Sequence, residues 1–130
     1  VTLDDALDAL RKAVAEKGHE YVYSEEHDSC YYAAVVNGEP QPACMVGHAL
    51  VYLGVPADHL VESGWNYMSV VGSVGTGALN DLGYVFDRDA IGVLNVAQRV
   101  QDLLDDEKDT SWGAALAEAE RFAVRNGGAA

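Results

Sequence analysis

The stretch Cys30-Tyr-Tyr-Ala-Ala-Val-Val-Asn37-Gly38-Glu-Pro40-Gln-Pro42-Ala-Cys44-Met-Val-Gly-His48-Ala-Leu50 decides the fold class. Residues 30–36 have the aromatic and β-branched composition of a strand. Asn37-Gly38 is the strongest short hairpin signal available, because both positions tolerate positive φ. Pro40 and Pro42 keep the returning strand short. Pro42 also suits the first position of a helix that runs to Leu53 and stops at Gly54. A hairpin feeding a helix predicts an α+β class. With Glu20-Tyr-Val-Tyr23 as a further strand candidate, the expectation is a helix-dominated domain carrying a small antiparallel hairpin or three-stranded sheet near residues 20–42. That sheet would pack on helices over 2–17 and 43–53.

Outward from this stretch the signals are mostly helical. Thr2 can cap a first helix, Asp4 and Asp5 suit its positive end, and Leu3, Leu7, Leu10 and Val14 share one stripe. Lys17-Gly18 is its stop. Val55-Pro56 starts a short helical segment ending near Ser63-Gly64. Residues 66–77 are rich in Gly and Ser and read as a connection. Asp87 or Asp89 caps a long helix whose Ala90, Ile91, Leu94, Ala97, Val100 and Leu104 follow helical spacing. Ser111 caps the last helix, with Trp112, Ala115, Leu116, Ala119, Phe122 and Ala123 on its core face. A short connection between these two predicts an antiparallel pair. The 130 residues fit one globular domain over 1–126, with 127–130 as a frayed tail.

Charge narrows function. The formal charge is −13, from 21 acids against 8 bases. Such a field repels phosphate backbones and anionic membranes, so the expected partner is a protein, plausibly a basic one, with no direct nucleic-acid or membrane contact. A sharper form of this reading is a surface that imitates nucleic acid and occupies its binding protein. No apolar run approaches the roughly 18 residues of a membrane span. The opening residues lack the pattern of an export leader, so the expected compartment is the cytoplasm, with reduced thiols.

Residues 18–87 contain no Lys or Arg, yet hold both cysteines and all four histidines. His27-x2-Cys30 and Cys44-x3-His48 form two ligand pairs, the second at i and i+4 on one helical face. Zn²⁺ takes four such ligands, making His27, Cys30, Cys44 and His48 a candidate metal site. The competing reading is ordinary core packing, since buried Cys is common. A third reading makes Cys44 a nucleophile, lying in the first helical turn where the dipole favours thiolate, with His48 one turn on and Asn66 or Asp28 as orienting groups. Residues 72–77 lack the Lys and spacing of a phosphate-cradling loop. The carboxylates Asp105, Asp106 and Glu107 oppose the helix dipole at the end of the long helix, and are candidate docking residues for a basic partner.

Two blocks carry a resemblance. Val-Val-Asn-Gly-Glu-Pro…Ala-Cys-Met-Val-Gly-His-Ala-Leu…Leu-Gly-Val-Pro over 36–56, and Leu94-Asn-Val-Ala-Gln-Arg-Val-Gln-Asp102…Ser111-Trp-Gly-Ala-Ala-Leu116, resemble small proteins of actinobacteria and especially their phages. That group carries no assigned activity, so the resemblance implies origin more than mechanism. The combined expectation is a non-enzymatic acidic accessory or regulatory protein, phage-encoded, that binds a host or phage protein in the host cytoplasm. A zinc-binding domain, a nucleic-acid-mimicking inhibitor and a Cys44-dependent enzyme are the alternatives.

Overall fold

The computed structural model describes residues 1–21, 33–42, 44–62, 83–101 and 111–126. In chain order these form α1 (Leu3–Lys17), β1 (Ala33–Val36), β2 (Glu39–Pro42), α2 (Met45–Tyr52), α3 (Ala57–Glu62), α4 (Arg88–Gln101) and α5 (Trp112–Arg125).

Each principal helix starts and stops on local chemistry. At α1 the Thr2 hydroxyl accepts the Asp5 N–H while the Asp5 carboxylate accepts the Thr2 N–H, a reciprocal capping box. The end of α2 is a Schellman motif. Gly54, at φ +104°, donates to the Val51 carbonyl, and the Val55 N–H reaches back to Leu50. Ser111 caps α5 by accepting the Ala114 N–H at 3.2 Å. The first two N–H groups of α5 are taken from outside the helix. Trp112 N–H donates to the Tyr21 carbonyl at 2.8 Å, and Gly113 N–H to the His19 carbonyl at 2.9 Å.

The core lies between α1, α2, α4 and α5. Leu7, Leu10 and Val14 of α1 meet Met45, Val46 and Leu50 of α2, Leu94 of α4 and Trp112 of α5, all fully buried. Helices α4 and α5 approach so closely that a Cβ on Gly92 would lie 2.3 Å from the Phe122 ring. Gly92 is early in α4 and Phe122 late in α5, so the two cross antiparallel. Small residues at Ala90, Ala97, Ala115, Ala119 and Ala123 permit this spacing.

The α+β class is overturned. The molecule is helix-dominated, and β-structure among the described residues is one ribbon of two four-residue strands, Ala33 pairing with Pro42 and Val36 with Glu39. Among the described residues no three-stranded sheet forms. Two physical reasons account for it. Pro40 and Pro42 remove two of the four backbone donors of β2, so its outer edge cannot recruit a further strand. At Tyr21, within the expected strand over Glu20–Tyr23, the carbonyl is spent on the first N–H of α5 and the ring packs on Trp112 at 4.7 Å. Where its side chains are described, the ribbon buries nothing: Val35 and Asn37 to Gln41 are exposed and Pro42 half-buried. It leans on α3 and the start of α2 rather than on α1. The expected start of α2 also shifts. Pro42 closes β2, Cys44 is the cap, and the helix begins at Met45.

No helix among the described residues is long and apolar enough to cross a membrane.

Candidate functional site

The short link from Pro42 to Met45 sets β2 beside the first turn of α2, and the last turn of α1 faces both. Together they enclose an open groove of about 600 Å³ lined by Glu16, Lys17, Asn37, Glu39, Gln41, Pro42 and His48. Glu39 and Gln41, two residues apart on β2, lie on one face of the ribbon.

His48 is the floor of this groove. It is only 4% exposed, and its ring meets Trp112 edge-on at 5.3 Å. Neither imidazole nitrogen has a hydrogen-bond partner among the described residues, and neither does the Trp112 indole N–H. His48 Nδ1 lies 3.5 Å from Glu16 Oε2, an electrostatic contact longer than an ordinary hydrogen bond. Burial holds the His48 pKa below its ordinary value, against the opposing pull of the Glu16 carboxylate. The imidazole is therefore neutral near pH 7.

Glu16 is the hub. Its Oε2 accepts the Tyr52 hydroxyl at 2.7 Å, joining the last turn of α1 to the last turn of α2. That hydrogen bond is the main reason its pKa lies below the usual carboxylate range, with His48 and Lys17 adding to the effect. The same bond raises the Tyr52 phenol. The Lys17 ammonium lies 5.5 Å from the centroid of the Tyr21 ring, a cation–π contact.

Cys44 sits apart from this chemistry. Its thiol is fully buried and accepts the Gly47 N–H at 3.4 Å, acting as the helix cap. A sulfur so enclosed gives a substrate no approach in this conformation, and the expected position in the first helical turn is replaced by the cap. Of the zinc candidates, Cys44 is the N-cap that precedes α2 and His48 lies within α2, whereas His27 and Cys30 lie outside the described residues. Among the described residues no group of three or more His, Cys, Asp or Glu side chains is placed to hold a metal. Asp105, Asp106 and Glu107, and the orienting candidates Asp28 and Asn66, also lie outside the described residues.

Sequence reasoning missed the groove itself. Glu16, Glu39 and Tyr52 carry no motif, and 36 residues separate the two ends of the Tyr52–Glu16 bond. The one available signal was His48 in an otherwise apolar helix, a polar side chain that needs a reason to be inside.

Compared with protein-family models, with curated proteins and with solved structures, the chain finds no match in any of the three.

Proposed function

We propose that this chain is a non-enzymatic, acidic accessory or regulatory protein that binds the basic surface of a protein partner. The observation carrying the reading is the groove between α1, β2 and α2, where the carboxylates Glu16 and Glu39 face one ammonium, Lys17, in a chain of net charge −13. Opposite charge steers such an encounter and fixes its register. The enclosed Cys44 thiol weighs against the thiol-enzyme alternative. The resemblance over 36–56 and 94–116 supports an origin in actinobacteria or their phages, and hence action in the host cytoplasm. The acidic run Asp105-Asp106-Glu107 supplies, on its sequence alone, further candidate docking residues for the same partner.

The test is retention of a host protein by the immobilised chain, alongside a variant with Asp105→Asn, Asp106→Asn and Glu107→Gln. The reading predicts a specific basic protein, released by rising salt and held less well by the variant. Partner release by duplex DNA would assign the nucleic-acid-mimicking form. No retained protein, together with a measurable turnover, would overturn the proposal.

A further inference from the structure

A buried imidazole with neither nitrogen hydrogen-bonded is uncommon, because desolvating a polar group without replacing its partner costs stability. His48 is such a group, 4% exposed, and it lines a groove rather than a closed core. The groove wall supplies carboxylates from two different elements, Glu16 on α1 and Glu39 on β2, and Asn37 and Gln41 also line it. The lining is dominated by acceptors. Its one fixed cation, Lys17, is engaged over the Tyr21 ring.

These acceptors come from separate elements, Glu16 from α1, Glu39 and Gln41 from β2 and His48 from α2, which favours a cation with several donors. An ammonium is compact and strongly hydrated, and is served best by a convergent set of oxygens. A guanidinium is planar, permanently charged, weakly hydrated, and presents five donors in a fork that can reach several separated acceptors at once. An anion would meet two carboxylates and an imidazole kept neutral by burial. Glu16 is about half exposed and held through the Tyr52 hydroxyl, and a guanidinium reaching the His48 ring would have to displace its carboxylate.

We infer that this groove is an arginine subsite, taking the guanidinium of a partner's arginine between Glu16 and Glu39 with the His48 imidazole as an acceptor at its floor. The inference rests on the protein-partner reading and names the chemical group that the partner would present. It assigns specificity to the α1–β2–α2 groove rather than to diffuse surface charge.

The experiment is an NMR titration of the full chain with three probes: N-acetyl-arginine N-methylamide, its lysine counterpart and its uncharged citrulline counterpart. Expected are saturable shifts at the His48 ring and at the Asn37 and Gln41 side-chain amides with the arginine probe. Binding should be at least fivefold weaker with lysine and absent with citrulline. Glu39→Gln, on the exposed ribbon, should weaken the arginine probe at least fivefold while leaving the amide spectrum of the helices in place. Gln41→Ala provides a second variant with a smaller loss. Equal response to arginine and lysine, shifts scattered over the acidic surface, or an unchanged affinity in Glu39→Gln would overturn the inference. A retained basic partner that binds Glu39→Gln as well as the parent chain would overturn the subsite while leaving the partner reading standing. Saturable arginine binding without any retained partner would support the subsite and count against that reading.

Discussion

The Tyr52 hydroxyl donates to Glu16 Oε2 at 2.7 Å, tying the C-terminal turns of α1 and α2 together directly above the buried His48. This bond positions the carboxylate that the groove uses, and it sets the ionisation of both partners.

Removing the donor should therefore be read at Glu16. In Tyr52→Phe the Glu16 pKa rises toward the usual carboxylate range, because its largest lowering influence is gone. A depressed carboxylate pKa contributes stability that is present above the unfolded value and lost as pH falls through the folded one. The variant should lose part of that acid-side dependence. Side-chain carboxyl shifts followed against pH measure it, and an unmoved Glu16 titration would contradict the geometry.

His48 acts in a different pH window. Its pKa is lowered in the folded state by burial, so the unfolded chain binds more protons below about 6.5 and stability must fall as pH drops from there toward the folded value. His48→Phe removes the titration and two unpartnered buried nitrogens. Its expected effect is a flatter stability profile between the folded His48 pKa and 6.5, with neutral-pH stability changed by less than about 1.5 kcal/mol. Denaturant unfolding at several pH values checks both.

Two glycines should prove intolerant for different reasons. At Gly92 a Cβ meets the Phe122 ring, and at Gly113 it meets the His19 carbonyl oxygen at 2.7 Å. Gly92→Ala should destabilise by about 1–3 kcal/mol from overpacking, partly offset by the better helix propensity of Ala. Phe122→Leu in the same chain should recover much of it, since the two residues share one contact. Gly113→Ala should cost more, because a backbone carbonyl cannot rotate away and its hydrogen bond to Gly113 N–H is also disturbed. Equilibrium unfolding of the single and double variants supplies the ranking.

Cys44 is assigned to capping and packing. Cys44→Ser should fold and keep its stability within about 1 kcal/mol, because Ser is a favoured N-cap. Peptide mapping after iodoacetamide treatment should find Cys44 modified only under unfolding conditions. Fast labelling of the native chain at Cys44 would restore the nucleophile as a serious reading.

The parts of the fold that were legible are those written in adjacent residues. Thr2 with Asp5, Ser111 before Trp112, and Gly54 after Leu53 each settle a helix end within a few positions, and the structure uses all three. The Asn37-Gly38 turn is equally local, with φ of 53° and 81°. What a turn cannot specify is whether its ribbon becomes a layer of the core. That depended on Pro40 and Pro42 closing one edge, and on Tyr21 giving its carbonyl to α5 instead of to a strand. The groove was illegible for a related reason. It assembles Glu16, Glu39 and His48 from three elements whose proximity is a product of packing, and no spacing among them signals it. The Cys44–His48 spacing put His48 on α2, but spacing alone could not foresee that Cys44 precedes the helix, its sulfur spent on the cap.

If a basic protein docks in the groove bounded by Glu16 and Glu39, as proposed, reversing one of these charges must weaken it. The most direct measurement is the affinity of the retained partner, by calorimetry, for Glu39→Lys against the parent chain. Glu39 is exposed on the ribbon, so reversing its charge leaves the helical core intact. Binding should be at least tenfold weaker, with a smaller dependence on salt. An unchanged affinity in a variant shown to be folded would contradict it.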